Sequence, residues 1–202
     1  MSTRSKPNIL ITGTPGTGKT TLAAELTNQS PSTAVLVHLN VARLVEENGY
    51  YDGWDETRNC HILDEDKLLD DLEDRLGTVA PMEFPQIGAS TREQSAESSG
   101  GFVIDYHGCD FFPERWFDAV FILRTDTSIL FDRLTSRGYS EHKVRENVEC
   151  EIFGTLAEEA RDSYKPEIIQ ELRNDSVEDM ERNVERIFTW VKKFCAEISK
   201  ST

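Results

Sequence analysis

The sequence has little basic charge and no long apolar run. Of its 202 residues, 22 are lysine or arginine and 37 are aspartate or glutamate, so the formal net charge is −15. A protein that binds nucleic acid without sequence preference needs a basic surface, so the charge argues against such a protein. We also predict no direct sequence-specific nucleic-acid binding. No apolar run approaches the roughly 20 residues of a membrane span, so we expect no membrane segment. The acidic balance is compatible with a basic protein partner.

Cysteine is also scarce. The four cysteines are far apart in the chain: Cys60, Cys109, Cys150 and Cys195. Because none has the spacing of a zinc or redox motif, we interpret them as reduced thiols. The opening residues MSTRSKPNILIT pass directly into a short apolar segment, and we expect no leader peptide.

Apolar segments alternate with segments of helical composition. The apolar segments predict strands at 7–12, 34–39, 100–106, 117–123 and 168–172. Helices are predicted at 20–28, 41–48, from 64 onward, 126–136, 143–164 and 177–198. This alternation predicts an α/β fold with a parallel five-stranded sheet and helices on both faces. The length fits one domain over 1–202.

Two segments interrupt the alternation. GTVAPMEFPQIGASTREQSAESS, at 77–99, contains two prolines and several serines and has no hydrophobic period, so we interpret it as a loop insertion. A lid or docking element is the alternative, although a tolerated surface insertion fits the composition better. The segment 49–60, rich in aromatic and acidic residues, is also predicted as a loop.

A complete phosphate-binding motif follows the first strand. GTPGTGKT, at 13–20, matches G-x-x-x-x-G-K-[ST] between a strand and a helix, so an accidental glycine-rich turn is the weaker interpretation. Lys19 is predicted to reach the β- and γ-phosphates, and the Thr20 hydroxyl to bind Mg²⁺. The loop backbone and the helix N-terminus are predicted to hold the nucleotide. The remaining loop residues so assigned are Gly13, Pro15, Gly16, Thr17 and Gly18.

An acidic residue ends the third apolar strand, in GGFVIDYHGCDFFPE at 100–114. Desolvating the Asp105 carboxylate there is unfavourable unless a partner compensates. In P-loop proteins the strand beside the loop often ends in an acid that serves the magnesium, and Asp105 is the candidate. A helix or turn cap is the alternative role.

Two arginines precede a break in the helical pattern. Arg133 and Arg137 are one helical turn apart on one face. At a P-loop site, such guanidiniums stack on the base and clamp the phosphates, whereas a solvated helix face is the alternative. With the chain length, the pair indicates a nucleoside monophosphate kinase.

Several motifs in order carry a family resemblance. They are PNILITGTPGTGKTT, YDGWDE, ILDEDKLLDDLE, VIDYHGCDFFPERWFD, FILRTDT and RLTSRGYSEHKVREN, with the weaker ECEIF and SYKPEII. The chain resembles the adenylate kinase isoenzyme 6 family, the nuclear adenylate kinases and ATPases also called coilin-interacting nuclear ATPase proteins. The resemblance covers nearly everything except 77–99 and the two ends.

The resemblance implies a P-loop kinase fold with three functional segments. They are the ATP loop at 13–21, an AMP-side segment at about 40–63 and a lid at about 136–146. Arg137 falls on the lid arginine that touches ATP in the family. The implied nucleotide contacts in the loop are Gly16, Gly18, Lys19, Thr20 and Thr21.

The resemblance also implies a function. Adenylate kinase activity (ATP + AMP = 2 ADP) accompanies ATPase activity in the family, with Mg²⁺ as cofactor. The family acts in maturation of the small ribosomal subunit, through a basic small-subunit ribosomal protein, so pre-ribosomal particles are expected partners. The expected location is the nucleus and cytoplasm.

One departure from ordinary adenylate kinases concerns His107. Those enzymes carry an Asp-Gly-Phe-Pro-Arg run whose arginine holds the AMP phosphate, but here the next arginine is Arg115. His107 is therefore assigned to hold a phosphate or to position the attacking group. An ordinary hydrogen-bonding role remains the alternative. No catalytic role is assigned to His38, His61 or His142.

The AMP-side segment leaves the function open. It contains Arg43 and Arg58 among five acidic residues, which is unexpected for a site that binds a dianionic phosphate. Its aromatic residues either stack on adenine or pack the loop, and packing is the safer interpretation. The first hypothesis is an Mg-ATP-dependent adenylate kinase. The second is an ATP-driven assembly factor with incidental kinase activity, and a scaffold without turnover ranks below both.

Overall fold

The computed structural model of the protein describes residues 4–31, 34–56, 60–77 and 101–201. Its strands are β1 (Ile9–Thr12), β2 (Val37–Asn40), β3 (Tyr51–Asp55), β4 (Cys60–Leu63), β5 (Phe102–Asp105), β6 (Ala119–Arg124) and β7 (Ile169–Arg173). Five of them form one parallel sheet in the order β2-β5-β1-β6-β7. The predicted parallel five-stranded sheet is confirmed.

The helices cover both faces of this sheet. They are α1 (Lys19–Asn28), α2 (Val41–Asn48), α3 (Glu65–Gly77), α4 (Thr127–Ser136), α5 (Glu141–Phe153), α6 (Thr155–Ser163) and α7 (Val177–Ser201). Successive strand residues point to opposite faces. Leu10 therefore packs with α2, α3 and α6, whereas Ile11 packs with α1 and α7. Because both faces are covered, the central strands are continuously apolar.

The segment 49–60 is not a loop throughout, so that prediction is wrong. Tyr51–Asp55 forms β3, which pairs antiparallel with β4. The Tyr51 ring stacks on the His61 ring at 4.2 Å between centroids, and the Trp54 ring meets the same ring edge-on at 4.8 Å. Cross-strand aromatic packing of this kind stabilises a hairpin.

The predicted single helix at 143–164 is also wrong. Gly154, with φ +66°, ends α5 in the left-handed conformation, and α6 follows directly. Glycine adopts this conformation without the steric cost that a side chain would impose, so it is a frequent helix stop. The predicted lid, 136–146, corresponds to the end of α4, the turn after it and the start of α5.

Two further predictions concern the insertion at 77–99 and the membrane segment. The predicted insertion at 77–99 lies, after its first residue, outside the described residues. Among the helices that the structure describes, none combines the length and the apolar character of a membrane span.

Candidate active site

The phosphate loop connects β1 to α1 at the carboxyl edge of the sheet, where parallel α/β sheets bind ligands. Gly13, Gly16 and Gly18 all have positive φ values, of 136°, 97° and 98°. A Cβ atom on Gly13 would lie 2.5 Å from the Leu123 carbonyl oxygen, and one on Gly18 would lie 2.6 Å from Asn174 Nδ2. The loop therefore requires glycine at these motif positions.

The side chain of Lys19 binds the backbone of its own loop. Its Nζ donates hydrogen bonds to the carbonyl oxygens of Gly13, at 2.7 Å, and Thr14, at 3.1 Å. Burial lowers the pKa of Lys19 to about 8, against the opposing effect of the Asp105 carboxylate, and the Arg137 charge lowers it further. Both carbonyl groups are neutral, and burial destabilises the charged ammonium group. Negatively charged phosphate oxygens would therefore be better acceptors for Lys19 Nζ than these carbonyls.

Asp105 lies beside the loop because Ile11 of β1 pairs with Asp105 of β5. The carboxylate is buried, with only 2% of the residue exposed. Its Oδ1 accepts a hydrogen bond from Asn40 Nδ2 at 2.7 Å, and the same amide lies 3.3 Å from Thr20 Oγ1. Asn40 thus connects the two predicted magnesium-binding side chains, and Asp105 is bound by a side chain rather than by a helix N-terminus.

The residues at this position fit a magnesium ion. Asp105 Oδ2 is buried and has no hydrogen-bond partner among the described residues. A buried carboxylate oxygen without a donor is unfavourable unless a cation compensates it. Mg²⁺ binds oxygen ligands and often takes one carboxylate together with substrate phosphates and water. Asp105 and Thr20, which are joined through Asn40, would hold the ion between β5 and the start of α1.

His107 follows Asp105 at the same edge. The carbonyl oxygen of His107 accepts a hydrogen bond from Thr12 Oγ1 at 3.0 Å, which fixes the turn after β5 to the end of β1. Burial, followed by the positive charges of Lys19 and Lys143, lowers the pKa of His107 to about 4. The imidazole is therefore neutral at neutral pH, with one ring nitrogen as donor and the other as acceptor. The ring can therefore offer hydrogen bonds to the site but no charge.

The two predicted arginines differ in their surroundings. Arg133 donates to the carbonyl oxygens of Gly16 at 3.4 Å, Asn174 at 3.1 Å and Asp175 at 2.7 Å. The alternative of a solvated helix face is therefore wrong for Arg133. Arg137 is the exposed C-cap of α4, near enough to Lys19 to affect its pKa.

Sequence reasoning missed several polar residues that surround the loop. Asn174 is one of them: it is buried and donates from Nδ2 to the Thr17 carbonyl oxygen at 2.7 Å. A polar residue directly after the last strand, β7, was the available signal, because parallel strands bring their carboxyl ends to one edge. The other missed residues are His38, Asn40 and Glu151.

The AMP-side segment contains an ion pair and a ring contact between its own residues. Arg43 Nε donates to Glu47 Oε1 at 2.6 Å within α2, and Arg58 lies outside the described residues. The face of Tyr51 is covered by His61, which favours packing over stacking on a base. Burial, and then Asp71, raises the pKa of Tyr50. Trp54, 48% exposed, retains free ring surface.

Comparisons with known proteins agree with this architecture. The family model described as an AAA domain matches residues 9–154. The adenylate kinase isoenzyme 6 homolog of Caenorhabditis elegans is 51% identical, over 92% of this chain and 89% of that protein. The Dictyostelium discoideum homolog is 44% identical over 95% of both chains. The Saccharomyces cerevisiae homolog, FAP7, is 39% identical over 94% of this chain and 84% of its own.

A solved structure gives the same fold. Shikimate kinase from Bacteroides thetaiotaomicron superposes with a TM-score of 0.52 at 14% identity, over 92% of this chain and 98% of that chain. At this identity the likeness establishes the fold alone. Together, the relatives and the P-loop kinase architecture support a nucleotide kinase.

Proposed function

The chain belongs to the adenylate kinase isoenzyme 6 family, and we propose that it transfers the γ-phosphoryl group of Mg-ATP to AMP and also hydrolyses ATP. The observation that carries this proposal is the convergence of Lys19, Thr20 and Asp105 at one edge of the sheet. A loop built for phosphate, an ammonium group and an oxygen-rich cation site are the parts that phosphoryl transfer requires.

Positioning and electrostatics supply the catalysis in this mechanism. The loop amides and the N-terminus of α1 bind the phosphates. Lys19 Nζ leaves the carbonyl oxygens of Gly13 and Thr14 and neutralises charge on the transferred group. Arg137, exposed at the mouth of the site, adds a second positive charge. Bound Mg²⁺ would supply charge neutralisation on the phosphate oxygens.

The His107 side chain acts in this mechanism as an uncharged imidazole. Its low pKa makes it unsuited to holding a phosphate by charge at neutral pH. A neutral imidazole still accepts a proton or orients the attacking oxygen through a hydrogen bond. The bond from Thr12 to the His107 carbonyl oxygen holds the turn that carries it.

A second candidate function is an ATP-driven assembly factor for a basic small-subunit ribosomal protein. The observation that favours it is the AMP-side segment, where Arg43 is already paired with Glu47 and no arginine follows β5 until Arg115. The net charge of −15 suits a basic partner. In this alternative, hydrolysis changes affinity for the protein partner, and the chain acts on pre-ribosomal particles in the nucleus and cytoplasm.

Turnover with separate product detection distinguishes the two functions. Mg-ATP is supplied alone and then with AMP, and ADP and inorganic phosphate are followed separately. Two ADP per ATP consumed, without free phosphate, supports the kinase. Phosphate release that ignores AMP, but changes when a basic small-subunit ribosomal protein is added, supports the assembly factor. Lys19→Ala, which removes the ammonium group, should abolish both activities in a folded chain, and residual turnover in this variant would overturn the site assignment.

A further inference from the structure

Glu151 is an unusual residue for its place in the fold. Only Val144 and Glu151 are buried among the described side chains of α5. Charged residues are almost never buried unless they are paired, yet Glu151 is only 4% exposed. Val144 packs against Leu130 and Leu134 of α4. The other buried side chain of α5 is therefore the Glu151 carboxylate, which lies near the C-terminal end of the helix, far from the lid.

Three donors converge on this carboxylate, and all come from outside α5. Oε1 accepts from Arg124 Nε at 2.7 Å and from the Thr125 backbone N–H at 3.1 Å, both at the end of β6. Oε2 accepts from Thr14 Oγ1 at 2.5 Å. One oxygen is thus bonded to the central sheet, while the other is bonded to the phosphate loop.

Thr14 connects this carboxylate to the reacting end of the site. Its carbonyl oxygen accepts from Lys19 Nζ at 3.1 Å and from the Thr17 backbone N–H at 3.2 Å. A shift of Thr14 therefore moves an acceptor of the phosphate-binding lysine. At the other end, α5 begins at Glu141, shortly after the turn that carries Arg137.

We propose that Glu151 is a positioning residue that couples the lid helix α5 to the phosphate loop through Thr14. The proposal rests on the proposed function, because it concerns how the same site is assembled around ATP. Glu151 is ten positions after Glu141, so the helix spans about 15 Å between the lid and the carboxylate. A rigid helix fixed at Glu151 sets the lid relative to the loop that holds the phosphates.

A simpler role would be charge balance for Arg124. That role needs only the Oε1 side, where Arg124 Nε binds. The Thr14 hydroxyl would then be incidental. Thr14→Val separates the two roles, because it removes the hydroxyl and leaves the Arg124–Glu151 pair intact. Thr14→Ser restores the hydroxyl in a smaller side chain.

The first experiment measures steady-state kinetics of purified full-length chains. Thr14→Val and Glu151→Gln should each lower kcat at least about tenfold, because misplacing reacting groups by about 1 Å can slow a reaction on the order of a hundredfold. Thr14→Ser should recover most of the loss. Glu149→Gln is the matched control, since Glu149 is an exposed residue of the same helix, and its kcat should be unchanged. The double variant Thr14→Val/Glu151→Gln should be no slower than the slower of the two single variants, because both changes remove the same hydrogen bond.

The second experiment uses hydrogen exchange and does not depend on turnover. A non-hydrolysable ATP analogue should protect the backbone amides of 141–146 in the wild-type chain and in Thr14→Ser, but not in Thr14→Val at saturating analogue. A chain without kinase activity still gives this answer, so failure of the coupling is distinguishable from failure of the proposed function. If Glu151→Gln does not fold, the comparison of Thr14→Val with Thr14→Ser tests the coupling instead. Wild-type kcat and wild-type protection in Thr14→Val, or additive losses in the double variant, would overturn the proposal.

Discussion

His38 Nε2 lies 3.3 Å from Asp105 Oδ2, across the neighbouring strands β2 and β5. Both atoms are buried, and neither has a hydrogen-bond partner among the described residues. The contact follows from the register, in which His38 pairs with Val103 and Asn40 with Asp105. The imidazole therefore flanks the carboxylate that fits a magnesium ion, although the sequence alone gave no reason to assign it a role.

Replacing His38 should change the magnesium requirement. In His38→Leu, Asp105 loses the ring beside its unbonded oxygen, and neighbours that orient a ligand typically contribute about tenfold or more to metal affinity or activity. We expect the free Mg²⁺ giving half-maximal turnover to rise about tenfold. His38→Gln, which retains an amide near this oxygen, should lose less. Equal magnesium dependence in all three chains would contradict the prediction.

Asn40 has two separable contributions. Its Oδ1 accepts from the Arg43 backbone N–H at 2.7 Å and caps α2, while its Nδ2 donates to Asp105. Asn40→Ala should lower the free energy of unfolding by about 1 kcal/mol and should also lower turnover. Asn40→Ser retains a capping oxygen and lacks the amide donor, so its stability should be nearly normal while turnover stays low. Urea denaturation and a turnover assay test both parts. Normal turnover in Asn40→Ser would show that the Asp105 contact is dispensable.

Lys19 should make nucleotide binding dependent on pH. Burial lowers its pKa from 10.5 to about 8, so above pH 8 the folded chain must take up a proton before it binds phosphate. The affinity for Mg-ATP should fall by up to about tenfold per pH unit there. Calorimetry in buffers of different ionisation enthalpy should detect the proton uptake, and Lys19→Met should not show it.

The same shift affects stability in the opposite direction. Between pH 8 and 10.5 the unfolded chain keeps the Lys19 proton that the folded chain has released. The contribution of Lys19 to the free energy of unfolding therefore increases with pH in this window. The difference in stability between the wild-type chain and Lys19→Met should change with that slope. A constant difference from pH 7 to pH 10.5 would refute the depressed pKa.

His107 should make the fold sensitive to acid. Its pKa is about 4 in the folded chain, against 6.5 for a free histidine, so between these values the unfolded chain binds the extra proton. This contribution is fully present above pH 6.5 and is lost as the pH falls to 4. Because His107 is an exposed residue, solvent screening makes the contribution smaller than that of a fully buried histidine. His107→Gln lacks this contribution, and denaturation at pH 7 and pH 4.5 should show a smaller loss. A loss equal to that of the wild-type chain would refute it.

His107 also has a predicted effect on turnover. His107→Gly should lower turnover more than ATP affinity, because a neutral imidazole can accept a proton or orient the attacking oxygen but does not bind phosphate by charge. His107→Gln, which retains an amide donor and acceptor, should recover part of the rate. An unchanged rate in His107→Gly would leave this residue a structural role only.

The sequence predicted those features that depend on local pattern. The alternation of apolar and helical segments led to the sheet, and the motif at 13–20 led to Lys19 and, through the neighbouring strand, to Asp105. Individual contacts between distant segments were not predictable, because the sequence can place polar residues at one edge of the sheet but does not show which of them meet. Asn174 lies 157 residues from the Thr17 carbonyl oxygen that it binds. The same reason explains why Glu151 was missed.

Gly16 gives a test of how closely the loop is packed on α4. A Cβ atom at Gly16 would lie 2.8 Å from Leu130 Cδ1 and 3.1 Å from Leu134 Cδ2, both buried side chains, in a backbone with φ +97°. Gly16→Ala should therefore displace the loop and abolish detectable ATP binding. Gly49→Ala is the control, because its φ of +66° is also positive but nothing lies within 4 Å. It should cost about 1 kcal/mol of stability from backbone strain and retain ATP binding. If Gly16→Ala bound ATP normally, the loop would be able to move away from α4 without losing its phosphate site, and the close packing would have no functional importance.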